Sequence, residues 1–244
     1  MKRWQDDALI LHVQHHSEHA GVAYVLSHQH GLYSGFVHGW RSKRQRGIWQ
    51  PGTIVRTRWQ ARLDEHLGYF TSSASHAPRL PIYHHPRALA ALSSALSLAR
   101  QTLSARQPEP HMFVALTALC HHLQATPDKA SLLYACWEYD FLALMGFGMN
   151  LARCASGKPC PPQELIYISP KSGHAVSKQA GAPWRDKLLP LPPFLRHYAH
   201  NEALPATVPA HHIEQALHAS GLFIQKYLYR QKALPKIREL VIKA

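Results

Sequence analysis

The first third of the chain contains short runs rich in Val, Ile, Tyr and Phe, which is the pattern of β-strands. HQHG and a basic segment separate the runs. Five short strands over residues 8–73 suit a small barrel, and we expect the five-stranded OB-fold. An SH3-like barrel has a similar strand count and stays open as an alternative. The runs are ALILHV, GVAYVLS, GLYSGFVHG, TIVRTRWQARL and HLGYFTSS.

The fourth of these runs alternates strictly with period two. Successive side chains of a strand point to opposite faces of the sheet. The run therefore predicts one packed face and one face that carries three arginines in a row. The packed face is Val55, Thr57, Trp59, Ala61 and Leu63, and the opposite face is Arg56, Arg58, Gln60 and Arg62.

The apolar spacing becomes helical from Arg87 onward, which predicts a helical second part of the chain. We expect Asp128 to cap the strongest helix, and Gly146 and Gly148 to end it. Two more helices are expected, at residues 209–219 and 222–231. The apolar stripes are Leu89, Leu92, Leu96 and Leu103, then Phe113, Leu116, Leu119 and Leu123, then Leu132, Leu133, Cys136, Trp137, Phe141, Leu144 and Met145.

Composition changes at residues 72–86, SSASHAPRLPIYHHP, where Ser, Pro and His replace the alternating pattern. We place a domain boundary there, with a barrel domain at 1–76 and a helical domain at 77–244. Inside the second domain, residues 150–193 are rich in Gly, Pro and Ser and are predicted to be mostly loop. The chain is thus predicted to be an α+β protein of two domains.

Charge adds a candidate function to this outline. Residues 39–63 hold seven Lys or Arg and no acid, and no acidic side chain occurs between Glu18 and Asp64. The whole chain has 27 Lys plus Arg against 14 Asp plus Glu, a net charge of +13. Such a field suits a polyanion, because each neutralised phosphate releases counterions. The candidate phosphate-binding residues are Arg41, Lys43, Arg44, Arg46, Arg56, Arg58 and Arg62.

Two tryptophans lie beside the first four basic residues and are candidates for stacking on exposed bases. Aromatic rings stack on bases of any sequence, so Trp40 and Trp49 fit that role. The alternative is a place in the barrel core, which applies most strongly to Trp49 and Trp59. The arginine row has an alternative too, a merely solvated outer face. We expect the first half of the basic segment to be a mobile loop.

Motifs for catalysis and cofactor binding are absent from the sequence. There is no GxxxxGK[ST], no GxGxxG after a strand, no HExxH and no GxSxG. The 14 carboxylates do not cluster as a metal-dependent nuclease requires. We therefore predict a binding protein without a cofactor rather than an enzyme.

The N-terminus and the cysteines predict a cytoplasmic protein with reduced thiols. The segment MKRWQDDALILHVQHH has no long apolar core and meets acids early, unlike a signal peptide. No run approaches the roughly 18 apolar residues of a membrane span. Cys154 and Cys160 are the only cysteines of the 150–193 segment, and no second pair follows them, so we expect no structural zinc.

Three segments follow one another along the chain: HGLYSGFVHGWRSKRQRGIWQPGTIV, YACWEYDFLALMGFGMNLARC and SPKSG. With these segments the chain resembles the RecO family of bacterial recombination mediators, over essentially its full length. The matching positions are Gly39, Arg41, Lys43, Arg44, Gly47, Gln50 and Pro51 in the first segment, and Glu138, Phe141, Leu142, Gly146, Phe147, Leu151 and Cys154 in the second.

The resemblance implies an OB-fold followed by a helical domain, binding of single- and double-stranded DNA, and annealing of complementary strands. It also implies two protein partners, RecR and the acidic C-terminal tail of the single-stranded DNA-binding protein, and loading of RecA onto coated strands. Many family members carry a four-cysteine zinc site in the region 154–177. This chain departs from that set, because Cys154 is retained, Cys160 is displaced and the second pair is missing.

Two rival functions make different predictions. A protein–protein adaptor would use the basic surface for an acidic protein and would bind a plain oligonucleotide weakly. A nuclease would cleave the same oligonucleotide in the presence of a metal ion. The basic tail from Lys226 onward fits either DNA or an acidic peptide.

Overall fold

A computed structural model describes residues 2–63, 66–72 and 81–242 of the chain. These residues group into two compact units, Met1–Asp128 and Lys129–Ala244. The domain boundary predicted at residue 76 lies outside the described residues. The predicted α+β character, with five N-terminal strands before a helical region, is confirmed.

Five strands of the first unit form a closed barrel in the order β1-β2-β3-β5-β4. All neighbouring pairs are antiparallel except β3 and β5, which are parallel. β1 begins well before the predicted run and uses its first half to pair with β4 and its second half to pair with β2. The strands are β1 (Lys2–His15), β2 (Ala20–Ser27), β3 (Gly31–His38), β4 (Ile54–Ala61) and β5 (Tyr69–Ser72).

The barrel core is built by the inward faces that the alternation of β4 predicts. Trp59 is fully buried, and its indole nitrogen donates to the carbonyl oxygens of Ser34 and Leu67, at 3.3 Å and 3.1 Å. Leu63, which was predicted for the same face, is exposed because β4 ends at Ala61. The other buried core residues are Ala8, Ile10, Ala23, Val25, Val37, Trp49, Val55, Ala61 and Phe70.

A buried carboxylate holds the turn between β2 and β3. Asp6 Oδ2 accepts from the Ser27 hydroxyl at 2.5 Å and from the Gln29 backbone N–H at 2.7 Å. Its neighbour Asp7 lies on the opposite face of β1 and is exposed. The two adjacent acids therefore diverge, as the strand period requires.

Two helices complete the first unit, and the segment between them returns to the barrel. The helices are α1 (Pro86–Thr102) and α2 (Pro110–Ala125). Arg106, with a φ of 64°, donates its backbone N–H to Leu32 at 2.8 Å. Its guanidinium lies over the rings of Tyr33 and Trp59, at 5.5 Å and 5.8 Å from their centroids, and donates to the His66 carbonyl. This segment closes one end of the barrel.

The longest helix of the second unit is α3 (Ala130–Leu144), and it is apolar on most of its surface. The prediction that Asp128 caps it is wrong, because Asp128 belongs to a 3-10 turn over Pro127–Lys129 and Lys129 occupies the cap position without a side-chain hydrogen bond. Leu144 is exposed rather than buried, since the helix ends there. Gly146 follows with a φ of 83° and ends the helix as predicted.

The segment predicted to be mostly loop contains a four-stranded sheet in the order β6-β8-β7-β9. β6 is parallel to β8, while β7 is antiparallel to both β8 and β9. A four-residue helix, α4 (Lys178–Gly181), follows β8, and a 3-10 helix, Ala182–Lys187, follows α4. The strands are β6 (Asn150–Cys154), β7 (Leu165–Ile168), β8 (His174–Ser177) and β9 (Leu189–Pro190).

The C-terminal part is helical and contains a buried ion pair. It comprises α5 (Pro193–Ala199), α6 (Ala210–Phe223) with a π-helical extension (Ile224–Leu228), and α7 (Glu239–Ile242). The predicted break near residue 220 is wrong, because α6 runs through it into the extension. Arg238 forms two hydrogen bonds to Glu138 on α3, at 2.6 Å and 2.7 Å, and both residues are buried.

Candidate nucleic-acid interface

The outer face of β4 carries two of the three arginines that the alternation predicts, because the strand ends before Arg62. Arg56 and Arg58 are exposed, while the residues between and beside them point into the barrel. Across the ladder, Arg56 lies opposite Asp7 and forms an ion pair of 3.4 Å with it. Arg58 lies opposite Gln5 and donates to its side-chain oxygen at 3.4 Å. Exposed pairs of this kind are weak. Both guanidinium groups are therefore available to exchange these contacts for phosphates.

The basic loop between β3 and β4 is built from consecutive turns. Ser42 accepts from the backbone N–H groups of Gln45 and Arg46, at 3.0 Å and 2.9 Å. Gly39, with a φ of 64°, begins the first turn. The four basic side chains of this loop are all exposed; they are Arg41, Lys43, Arg44 and Arg46. Arg62, just after β4, is exposed as well.

One glutamine connects the loop to β5, the neighbour of the strand that carries the arginines. Gln45 Oε1 accepts from the Trp49 indole at 2.9 Å and lies 3.4 Å from the Ser72 hydroxyl on β5. Ser72 pairs with Thr57, the residue between the two arginines of the row. The middle of the loop therefore contacts the end of β5, on the side of the β4–β5 pair that faces into the barrel, whereas the two arginines lie on the opposite, outward side.

The tryptophans of this region differ in what they can contact. Trp49 is only 2% exposed and packs in the barrel core, so in this structure its ring offers no face to a base. Trp59 is core as well. Trp40 is half-buried against the core, and the Arg41 guanidinium lies 4.9 Å from its ring centroid. Of the two predicted stacking residues, Trp40 is the one that is partly exposed.

Two residues of this face escaped the prediction from sequence. Arg3 on β1 pairs with Gln60 and is exposed beside the arginine row. Tyr69 on β5 pairs with Gln60 from the other side and is an exposed aromatic residue. Arg3 was missed because β1 begins earlier than the predicted strand. Tyr69 was missed because β5 has only four residues, too few for a clear alternation. The alternation in KRWQDDA, with Trp4, Asp6 and Ala8 inward, was the available signal for Arg3.

The second unit does not contain the residues that a four-thiolate zinc site needs. Cys154 Sγ accepts from the Ser177 backbone N–H at 3.3 Å and lies 3.2 Å from the Ser156 hydroxyl. Serines thus occupy positions beside Cys154 that further thiolates would need. Among the described residues, no group of three or more His, Cys, Asp or Glu could hold a metal ion. The chain does not fit the family's zinc set.

The hydrogen bonds to Cys154 change its acidity. Burial by itself raises the pKa of a thiol, but here the hydrogen bonds from Ser156 and Ser177 outweigh it and lower the pKa of Cys154 to about 7. Burial raises the pKa of Cys120 and of Cys136 to about 12. Of these three thiols, Cys154 alone is close to ionisation at neutral pH.

Within the described ranges, no helix has the length and apolar character needed to cross a membrane. The fold and site together define a class: a barrel with an exposed basic strand and loop, followed by a helical unit. Family models support a specific assignment. The model described as "Recombination protein O N terminal" matches residues 1–79, and "Recombination protein O C terminal" matches residues 84–235. The chain belongs to the recombination protein O (RecO) family.

Curated relatives match over nearly the whole chain. A protein of Rhodospirillum centenum named "DNA repair protein RecO" is 37% identical over 237 residues, which cover 96% of this chain and 91% of that protein. Proteins of the same name from Chelativorans sp. and Rhodospirillum rubrum are 38% and 35% identical, over 95% and 98% of this chain and 90% and 94% of their own lengths. The recognition of the RecO family from sequence is confirmed.

Proposed function

We propose that this chain acts in DNA repair and recombination as a DNA-binding mediator and that the basic face of its barrel is the DNA-binding surface. The observation that carries the proposal is the exposed row of Arg56 and Arg58 together with the turn-built basic loop. The strand order 1-2-3-5-4 of the closed barrel supports the OB-fold, a fold that binds oligonucleotides. The phosphate-binding set is Arg41, Lys43, Arg44, Arg46, Arg56, Arg58 and Arg62, extended by Arg3.

Both single- and double-stranded DNA fit this surface, because phosphates are common to both. Trp40 and Tyr69 are the residues of this face that can stack on unpaired bases, and stacking contributes about 1–3 kcal/mol per base. A protein that screens the charge of two strands while leaving their bases free promotes annealing. This requires no bond chemistry, so we propose a non-enzymatic role in the cytoplasm.

The family membership supports protein partners as part of the same proposal. RecR, the acidic C-terminal tail of the single-stranded DNA-binding protein, and the loading of RecA onto coated strands are the expected context. A cavity of about 280 Å³ in the second unit, lined in part by Leu222, Leu234 and Ile242, is a candidate receptor for the acidic tail. Exposed Lys232 and Lys236 lie nearby along the chain. Titration of an acidic-aromatic C-terminal peptide tests this, and Leu234→Glu should abolish its binding.

Salt dependence is the direct test of the DNA surface. We expect the single-strand affinity to fall steeply with salt, since the slope of log K against log salt is about −0.7 per phosphate contact. Arg56→Ala/Arg58→Ala removes two contacts and should reduce the slope by roughly one to two. The matched control is Arg87→Ala/Lys129→Ala, which removes the same charge from exposed positions outside the basic face. Its slope should stay that of the wild type.

Four results would contradict the proposal. A wild-type slope near zero would remove the electrostatic basis of binding. Equal slopes for both double variants would assign the effect to net charge rather than to the barrel face. Weak binding of any oligonucleotide together with tight binding of an acidic protein would favour the adaptor, the second candidate function. Metal-dependent cleavage of the oligonucleotide would favour a nuclease.

A further inference from the structure

One tryptophan of the second unit is conspicuous for its exposure. The chain has six tryptophans, and all of them lie in the described residues. Trp184 is 58% exposed, while the other five are buried or half-buried. An exposed indole ring presents a large flat surface on which another ring can stack. Neither the barrel surface nor the cavity near α7 uses it.

The segment that carries Trp184 is held at both ends by the four-stranded sheet. At one end, the Ser177 hydroxyl caps α4 by accepting from the Ala180 N–H at 3.3 Å. At the other end, Leu189 on β9 pairs with Ile168 on β7. Between them, Gly181 lies so close to the Tyr167 ring that a Cβ would be 2.6 Å from it. The ring of Trp184 is thus presented by a supported segment.

Three basic residues lie within six positions of this tryptophan in the sequence. Lys187 Nζ lies 5.7 Å from the ring centroid, a cation–π distance. Arg185 lies two positions before Lys187 and forms an ion pair of 3.5 Å with Asp186. Lys178 begins the same helical segment. All three cationic side chains are exposed.

Lys158 is a further lysine near the C-terminal ends of β6 and β8. Ser177 donates its backbone N–H to Cys154, and the loop after Cys154 leads to the exposed Lys158. Lys158 and Lys178 therefore lie at the same end of the sheet. Glu164, at the start of β7, is the acidic residue that the register places there. An exposed aromatic ring among cations is the arrangement that binds single-stranded nucleic acid.

We propose that Trp184, with Arg185, Lys187 and Lys178, forms a second surface for single-stranded DNA, in which an unpaired base stacks on the indole ring and the cations contact flanking phosphates. The inference rests on the proposed DNA-binding function and extends it to the second unit. With a binding surface on each unit, one chain can hold two strands. Double-stranded DNA does not use the ring, because its bases are already stacked.

The test compares three variants of the full chain with the wild type, using a 20-nucleotide oligothymidylate and a blunt 20-base-pair duplex. Trp184→Ala should lose about 5- to 150-fold in affinity for the oligothymidylate, the equivalent of one lost stacking contact. Trp184→Phe keeps an aromatic face and should stay close to the wild type. Leu240→Ala, which shortens a side chain that is 56% exposed, should change nothing. Duplex affinity should be the same in all four proteins.

Fluorescence provides a readout at the site itself. Trp40 is partly exposed as well, so the quenching by oligothymidylate that belongs to Trp184 is the part that Trp184→Phe removes. Wild-type affinity in Trp184→Ala, equal losses for single strand and duplex, or absence of this quenching would each overturn the inference. If Arg56→Ala/Arg58→Ala weakens binding in that case, the barrel proposal stands alone. If the wild type binds neither oligonucleotide, both proposals fail.

Discussion

The buried ion pair between Glu138 and Arg238 shows that an arginine in a basic stretch of sequence can have a structural role in the protein core. Arg238 belongs to a basic tail, yet its guanidinium is buried and bonded to Glu138, and it also donates to the Leu217 carbonyl. The Ser220 hydroxyl completes the set by donating to Glu138 at 2.5 Å. Burying charge is costly unless every lone pair and proton finds a partner. Arg238 therefore stabilises the second unit, unlike the exposed cations of the same tail.

Removal of one member of this pair should destabilise the protein strongly. Arg238→Met leaves the Glu138 carboxylate buried without its counter-charge, and such losses are about 3–5 kcal/mol. The free energy of unfolding by urea measures the effect. The double variant Glu138→Leu/Arg238→Met should recover much of this loss, because no charge is left uncompensated. A double variant as unstable as the sum of the two single ones would refute this account.

Cys154 should make the stability of the protein depend on pH between 7 and 9. Its folded pKa of about 7 lies below the ordinary thiol pKa of 9.0. In that window the folded state has lost a proton that the unfolded state retains, so stability rises as pH increases and is lost as pH falls through about 7. The stability difference between wild type and Cys154→Ser should grow by about 2 kcal/mol from pH 7 to pH 9.

The control for this effect is Cys136→Ser. Burial, followed by the charge of Asp140, raises the pKa of Cys136 to about 12, so this thiol stays protonated in the folded state and is mostly protonated in the unfolded state up to pH 8. Its variant should differ from the wild type by the same amount at pH 7 and pH 8. Urea unfolding in a reducing buffer measures both pairs. A Cys154→Ser difference that is constant with pH would show that hydrogen bonding does not acidify this thiol.

At the scale of elements, β4 was readable because each of its inward residues packs in one barrel. The sequence therefore predicted its start to within one residue and the positions of Arg56 and Arg58, but the strand has already ended before Arg62 and Leu63. The sheet of the second unit was not readable in this way. Its strands have two to five residues, and the β6–β8 register is irregular, so no periodic pattern can develop. Short strands depend on pairing rather than on alternation.

The helix α6 illustrates a second reason why prediction from sequence fails. Gly221 and Ser220 read as a break, because glycine disfavours a helix interior. In the structure, the Arg238 guanidinium fills the space beside Gly221, where a Cβ would lie 2.9 Å from Nη1. The glycine is required by a contact 17 positions away in the chain. Nothing local in the sequence carries that information, and the same holds for the burial of Arg238 itself.

At the scale of the whole molecule, the positive charge is shared by both units. The sequence 129–244 contains 14 Lys or Arg and seven Asp or Glu, an excess of seven, against an excess of six in the first unit. The basic segment at 39–63 drew attention because its cations are contiguous. The cations of the second unit are spread along the sequence, so any grouping of them depends on the fold. Family membership, in contrast, could be predicted from the sequence, because each of the three matching segments is an uninterrupted stretch of the chain.

The contacts between Arg106 and the barrel determine which N-terminal fragment of the protein we expect to be stable. Family models separate at residues 79 and 84, but a fragment that ends there loses the guanidinium over Tyr33 and Trp59 and the backbone bond to Leu32. We expect residues 1–128 to fold as a stable fragment and residues 1–79 to melt at a clearly lower temperature, as thermal circular dichroism will show. Equal melting temperatures would mean that the strands suffice.

A chimaera that exchanges the barrel between relatives would therefore have to include α1 and α2. An isolated barrel fragment that fails to bind DNA would report the loss of its closing segment rather than the absence of a binding surface. The cut at residue 128 separates these two explanations, and it is the boundary at which each half of this protein can be assayed for its own ligand.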